Sequence, residues 1–335
     1  MNEKVNKRMN EMDNTFLTVR DLTVEYTSDK KIVQAVNGVS FRLHKGESLG
    51  LVGETGAGKT TIAKAIMQIL PEPPAKLTNG EIWVDGQNVV AIKEHDKMKI
   101  RGNKTAMIFQ DPMTALNPLM TVGDQIAEVI QVHNPKLGKK EVISKSMEML
   151  EMVGIQGDRF VEYPHQFSGG MKQRVVIAIA LACTPELLLA DEPTTALDVT
   201  IQAQILDLIS TLQKKNDMSM VLITHDLGIV AEYCDQVAVI YAGEIVELAS
   251  KQDLFRNRKH PYTLGLFGSL PSLVGEETRL SPIPGLPPDP TNLPKGCKFA
   301  PRCQFATEQC KNEWVQLQEI APNHFCRCSR AMELK

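Results

Sequence analysis

The chain is predicted to be an α/β protein, with one large domain and a smaller appendage, on three observations. The run Gly53-Glu54-Thr55-Gly56-Ala57-Gly58-Lys59-Thr60 fits the phosphate-loop pattern G-x-x-x-x-G-K-[ST] and lies between an apolar strand and a helical pattern. The apolar run Leu187-Leu188-Leu189-Ala190 ends in Asp191-Glu192, and Val221-Leu222-Ile223-Thr224 ends in His225, so two more strands finish in chemistry-bearing side chains. The length of 335 residues, 43% of them hydrophobic, supports a full core for such a domain.

Strand patterns near 15–26 and 38–43 open the chain after a polar lead-in over 1–14. Ser48–Val52 is the short strand before the phosphate loop, and a helix is expected from Thr61 until Pro71 stops it. Glycines let the loop wrap an anion with its N–H groups and the helix N-terminus, Lys59 reaches the β- and γ-phosphates, and the Thr60 hydroxyl suits Mg²⁺. Gly80-Glu81-Ile82-Trp83-Val84-Asp85-Gly86 alternates between glycines and reads as a hairpin strand. Ala106-Met107-Ile108-Phe109 is another apolar strand, followed by Gln110. From about 111 to 175 the pattern turns helical, with Pro112, Pro118, Pro135 and Pro164 as punctuation. Phe167-Ser168-Gly169-Gly170-Met171-Lys172-Gln173 leads into the apolar helical run Val175–Ala182. Ser-Gly-Gly at a helix start offers unpaired N–H groups and a hydroxyl, a second anion site. One chain with two phosphate-binding devices implies that each serves a different nucleotide, with a partner subunit completing each site.

These five motifs, together with Ala196-Leu197-Asp198 between Glu192 and His225, resemble the ATP-binding cassette (ABC) family in their order along the chain. The resemblance implies a P-loop NTPase cassette over residues 15–250. Its parts are a RecA-like core, an antiparallel β subdomain and a helical signature subdomain, followed by a small cysteine-rich extension over 251–335. It implies nucleotide binding by Tyr26, stacked on adenine, and by Gly53, Glu54, Thr55, Gly56, Ala57, Gly58, Lys59, Thr60 and Thr61. Mg²⁺ falls to Thr60, Gln110 and Asp191, and ATP hydrolysis to Glu192, His225 and Gln110. Ser168, Gly169, Gly170 and Met171 act as the signature on a partner's nucleotide, and Asp198 in Ala196-Leu197-Asp198 is the D-loop aspartate. Taken singly, Tyr26 reads as strand packing, His225 as a helix cap and Asp198 as a turn residue; their common order favours the shared site. The turn Asp111–Pro118 is stiff and exposed, suited to passing a shift at the nucleotide to a membrane subunit.

Beyond residue 250 come Lys259-His260-Pro261-Tyr262-Thr263, which begins a short helix, and the proline-rich stretch Ser281–Pro290, expected to be an extended connector. Five of the seven cysteines then crowd together as Cys297, Cys303, Cys310, Cys326 and Cys328. In a reducing compartment that crowding indicates metal rather than disulfides, although C-x₅-C-x₆-C lacks the C-x₂-C pairs common in zinc sites. This tail resembles that of oligopeptide, dipeptide and nickel importer ATPases, and Ser-Gly-Gly-Met resembles their D-type subunit. The resemblance implies a [4Fe–4S] cluster on Cys297, Cys303, Cys310 and Cys328, with Cys326 an extra thiol and His324 a further candidate; zinc and unligated thiols are the alternatives. Cys183 and Cys234 read as ordinary buried or half-buried residues.

The net charge of −3 gives no basic field, which disfavours nucleic acid as a partner. No apolar stretch approaches 18 residues, and the first residues lack the apolar run of a signal peptide. The expectation is a cytoplasmic protein that meets the membrane through partners. As the family implies, these are an F-type ATPase forming a heterodimer, two permease subunits and, indirectly, an external substrate-binding protein. The implied function is to power import of di- or oligopeptides by ATP hydrolysis, or else import of nickel or a metal complex. Two other classes fit poorly: translation ABC proteins fuse two cassettes and DNA-repair ones insert a long coiled coil.

Overall fold

The computed structural model describes residues 15–28, 31–195, 197–269 and 282–334. The expected lead-in over 1–14, Ala196 and Ser281 lie outside the described residues. In chain order the strands among them are β1 (Thr15–Ser28), β2 (Lys31–His44), β3 (Ser48–Val52), β4 (Ala75–Val84), β5 (Gln87–Asn88), β6 (Thr105–Ile108), β7 (Leu187–Asp191), β8 (Ser219–Thr224), β9 (Gln236–Tyr241), β10 (Glu244–Ser250), β11 (Gln318–Ala321) and β12 (His324–Cys326). The chain forms two compact units, one of residues 15–16, 44–47 and 91–222, the other of 17–43, 48–90 and 223–334.

In the first unit, β6 pairs in parallel with β7 from Thr105↔Leu187 to Ile108↔Ala190, and β8 lies on the other side of β7. All of these residues in β6 and β7 are buried, which is why both read as unbroken apolar runs rather than alternating ones. Around them run the helices Pro112–Ala115, Val122–His133, Lys139–Met152 and Gly169–Leu181, which begin within the span 111–175 where the sequence pattern is helical, and further on Val199–Lys215. Thr121 caps Val122–His133 by accepting from the Asp124 N–H.

The second unit holds two sheets. One has the order β2-β1-β4-β5. Its expected hairpin is β4–β5, closed by Asp85 and Gly86, both at positive φ as a two-residue hairpin turn requires. The other brings together β11-β12-β10-β9-β3, with β3 parallel to β9 and the rest antiparallel. The helix after the phosphate loop ends at Ile66, four residues before the expected Leu70. Gln68 takes a left-handed φ of 55°, the Gln68 N–H donates to Ala65 and the Ile69 N–H to Lys64, so the last carbonyls are satisfied before Pro71 is reached.

The region after residue 250 is more structured than its composition indicated. The helix Pro261–Gly268 begins where His-Pro-Tyr placed it, with Pro261 at its first position and His260 as its cap. Residues 282–290 form neither helix nor strand, as expected of the prolines. The tail then returns to the sheet: Glu247 pairs with Cys326 and Leu248 with Phe325. Beneath that pairing the fully buried Glu247 accepts from the Lys259 N–H (2.7 Å) and the His260 N–H (2.9 Å), and pairs with His324 Nε2 (2.8 Å). No helix among the described residues is long and apolar enough to cross a membrane.

Candidate functional site

The phosphate loop is held by close packing. All five residues of β3 are buried, and Gly53 follows where a Cβ would stand 2.2 Å from the Ile240 carbonyl oxygen. Gly58, just before the helix, has φ 101°, which side-chain-bearing residues avoid. Between them the Ala57 N–H donates to the Glu54 carbonyl at 3.1 Å. Lys59 is buried, its ammonium 2.6 Å from the Gly53 carbonyl oxygen and 3.0 Å from that of Glu54. The helix carries no acidic residue in its first turn to oppose an anion at its positive end. Thr55 and Gly56 are exposed, Thr60 and Thr61 are half-buried, and Tyr26 stands with its hydroxyl 3.4 Å from that of Thr61. The Tyr26 hydroxyl therefore reaches the first turn of the helix that follows the loop.

In the first unit the carboxylates lie at the end of β7. Asp191 is buried. Glu192 follows with φ 45°, a left-handed backbone uncommon for a residue with a side chain. Its Oε2 accepts from Gln110 Nε2 at 3.0 Å and from the Thr195 hydroxyl at 3.0 Å. Gln110 and Glu192 are 82 positions apart in the chain, so the fold brings together two residues that sequence order alone only placed in series. With its amide nitrogen donating to Glu192, Gln110 has its amide oxygen as an acceptor.

The signature serine is the cap of Gly169–Leu181, its hydroxyl accepting from the Met171 N–H at 3.4 Å. Ser168 and Gly169 are exposed, and this first turn too lacks acidic residues. Asp198 caps Val199–Lys215, its carboxylate accepting from the Ile201 N–H at 3.0 Å. In the second unit His225 is exposed between the end of β8 and Asp226, the cap of Leu227–Tyr233; the helix-capping role considered for His225 falls to Asp226.

Cys297, Cys303, Cys310 and Cys328 all line one partly open cavity, whose wall includes His260 and Phe299. Cys326 and His324 are outside that lining: Cys326 is buried in β12, and His324 is committed to Glu247. The Cys297 N–H donates to the Cys310 carbonyl (2.8 Å), which holds two of the four segments together. Burial pushes the Cys297 thiol up to about 11, with Cys328 and Cys310 adding to it, and burial also raises Cys303 and Cys328. At Cys310 burial acts in the same direction, but hydrogen bonds from Thr307 and Ser329 outweigh it and bring that thiol below its ordinary value. Among the described residues no three His, Cys, Asp or Glu side chains are gathered closely enough to hold a single metal ion. Cys234 is buried and Cys183 half-buried in other surroundings, as expected.

Two residues beside the phosphate loop escaped the reading of the sequence. Arg302 makes a two-pronged ion pair with Glu54, and the Tyr262 hydroxyl accepts from the Glu54 N–H. Tyr262 was visible as part of His-Pro-Tyr, although without a role. Arg302 carried no signal beyond its place beside Cys303.

Residues 36–195 match the ABC transporter family, and residues 246–310 match the C-terminal region of oligopeptide/dipeptide transporters. The chain is 51% identical over 314 residues to the dipeptide transport ATP-binding protein DppD of Bacillus subtilis, covering 93% of each chain. It is 48% identical to the oligopeptide transport ATP-binding protein OppD of the same organism, covering 93% of this chain and 87% of that one. Among solved structures it is similar to the ATP-binding cassette MJ0796, a dimer in a post-hydrolysis state bound to ADP and phosphate. The TM-score is 0.64 at 27% identity, covering 70% of this chain and 98% of that one.

Proposed function

We infer that this chain, which belongs to the ABC transporter family and to its oligopeptide/dipeptide branch, is the ATP-hydrolysing subunit of an importer of short peptides. The observation that carries the hydrolytic role is the Glu192 carboxylate, fixed by Gln110 and Thr195 directly after a buried Asp191. A carboxylate so held orients or deprotonates an attacking water without reorganising. Lys59 and the loop N–H groups take the β- and γ-phosphates, Tyr26 the adenine, and His225 the γ-phosphate. Mg²⁺ neutralises phosphate charge when bound, and Thr60, Gln110 and Asp191 offer it a hydroxyl, an amide oxygen and a carboxylate. Ser168 and the N–H groups after it serve the nucleotide of a partner ATPase, reciprocally, and Asp198 belongs to the same interface. The partner is a homologous F-type subunit, with two permeases that place the pair at the cytoplasmic face of the membrane and receive peptide from an external binding protein. The test is stimulation: adding peptide-loaded binding protein to the membrane-reconstituted assembly should raise its ATPase rate. A rise with a nickel complex and none with peptide would overturn the peptide assignment.

The same reading gives Cys297, Cys303, Cys310 and Cys328 a [4Fe–4S] cluster, and the donor set supports it. Four thiols facing one cavity disfavour one another's ionised forms, a cost that a cationic iron core offsets. The cluster's work here is structural, cross-linking the four cysteine-bearing segments of a tail with few apolar side chains of its own.

A further inference from the structure

We propose that Arg302 and Tyr262, both in the C-terminal extension, are positioning residues for the phosphate loop, and that Arg302 does so by neutralising Glu54. The proposal rests on the reading that this loop binds the nucleotide phosphates. An acidic residue in an anion-binding loop is electrostatically misplaced, since it opposes the phosphates that the loop N–H groups and Lys59 attract. Here that charge is answered from elsewhere in the chain. Arg302 Nη1 and Nη2 donate to the two Glu54 carboxylate oxygens at 2.9 and 3.1 Å, a bidentate, fork-to-fork pairing. The Arg302 side chain is 6% exposed and is itself fixed: its Nε donates to the Pro284 carbonyl at 2.9 Å, and Nη1 lies 3.4 Å from the Tyr241 hydroxyl.

Glu54 is held at a third point as well. Its N–H donates at 3.0 Å to the hydroxyl of Tyr262, a fully buried side chain packed against Tyr241 and Phe299. The Glu54 carbonyl accepts from Ala57 and Lys59, so the residue that the extension grips is the one on which the rest of the loop closes. Side-chain charge, backbone N–H and backbone carbonyl are thus all assigned. The extension thereby converts a repulsive carboxylate into half of a neutral pair and orders the backbone before phosphate arrives.

The experiment measures MgADP affinity of the full-length protein by calorimetry, and KM and kcat for ATP in the assembled transporter. Arg302→Met leaves Glu54 charged and unpaired, and should weaken MgADP binding and raise KM on the order of tenfold, with kcat at saturation little changed. The double variant Arg302→Met, Glu54→Gln removes the charge and should recover most of that loss, which a purely structural pin would not predict. Tyr262→Phe keeps the ring packing, loses one hydrogen bond to the loop, and should weaken binding severalfold; it carries the test if Arg302→Met does not fold. Lys59→Ala in the parent is the control for the underlying reading. Parental MgADP affinity in folded Arg302→Met and in Tyr262→Phe, with binding abolished in Lys59→Ala, would overturn this proposal and leave the nucleotide site intact. A double variant as weak as Arg302→Met would overturn the charge argument, and a parent that binds no MgADP would overturn both readings.

Discussion

At the scale of the residue, Glu192 joins an uncommon backbone to two side-chain hydrogen bonds, and that combination holds a carboxylate where a mobile side chain would wander. Glu192→Gln keeps its size and its place, yet removes the charge that the proposed function directs at water. ATP hydrolysis should fall by on the order of 10²-fold or more while nucleotide binding persists, as measured by steady-state rate against equilibrium affinity. Ser168→Arg, at an exposed helix cap, should block turnover in the assembled transporter while MgADP still binds at Lys59; loss of that binding would contradict the assignment of Ser168 to a partner's nucleotide. A different residue-scale consequence concerns acid. Burial, with Arg327 beside it and Glu247 pulling the other way, holds His260 down at about 4 from an ordinary 6.5. Between those values the unfolded chain takes up the extra proton, so stability rises with pH across that window and is lost on acidification, by up to ~3 kcal/mol. Glu247 adds to this lower down. Burial alone would raise its pKa, but His324 and the His260 and Lys259 N–H groups outweigh that and lower it, so its contribution is present above 4.5 and is lost as pH falls below that. Denaturant unfolding from pH 7 to 4 should show the decline, and His260→Asn should flatten its upper part; a flat parental profile would contradict it.

At the scale of the element, the cysteine-bearing extension shows best what could and could not be read in advance. The phosphate loop, the strand ending in Asp191 and Glu192, and the serine cap of the signature helix were legible because each is a local pattern: an apolar run fixes the strand, and glycine or a capping hydroxyl fixes its end. The four cysteines were legible as a set by resemblance, and they line one cavity. The pairing of β12 with β10 was not legible, because His324–Cys326 is only three residues long and has no alternation to reveal it. Nor was the Glu247–His324 pair, whose members lie 77 positions apart and make sense only once both are buried. The early end of the helix at Ile66 escaped because Gln68 gives no sign of a left-handed cap where glycine would have. The element itself makes a prediction. Replacing Cys297, Cys303 or Cys310 with Ser should remove the broad visible absorbance of an iron–sulfur protein prepared without air and loosen the tail to protease. Replacing Cys326 should matter less than replacing Cys328. Stoichiometric zinc with no iron would contradict the cluster.

At the scale of the whole molecule, one helix starts directly after the phosphate loop and another at the exposed cap Ser168, and the proposed function gives each of these starts to a different nucleotide. If each serves a different nucleotide, the isolated chain should hydrolyse ATP slowly and run as a monomer, and the F-type partner with the permeases should raise its rate; full coupled activity from the chain alone would contradict a two-subunit assembly. The C-terminal extension belongs to the same logic, since Arg302 and Tyr262 make its presence felt at the loop where nucleotide is held. In the proposed function, ATP hydrolysis at Glu192 drives the entry of short peptides. Its most direct test is uptake of a labelled oligopeptide into vesicles carrying the assembled transporter and binding protein, with ATP supplied on the side of this subunit. Uptake should require ATP and should fall to background with Glu192→Gln; peptide uptake at the parental rate in that variant would contradict it.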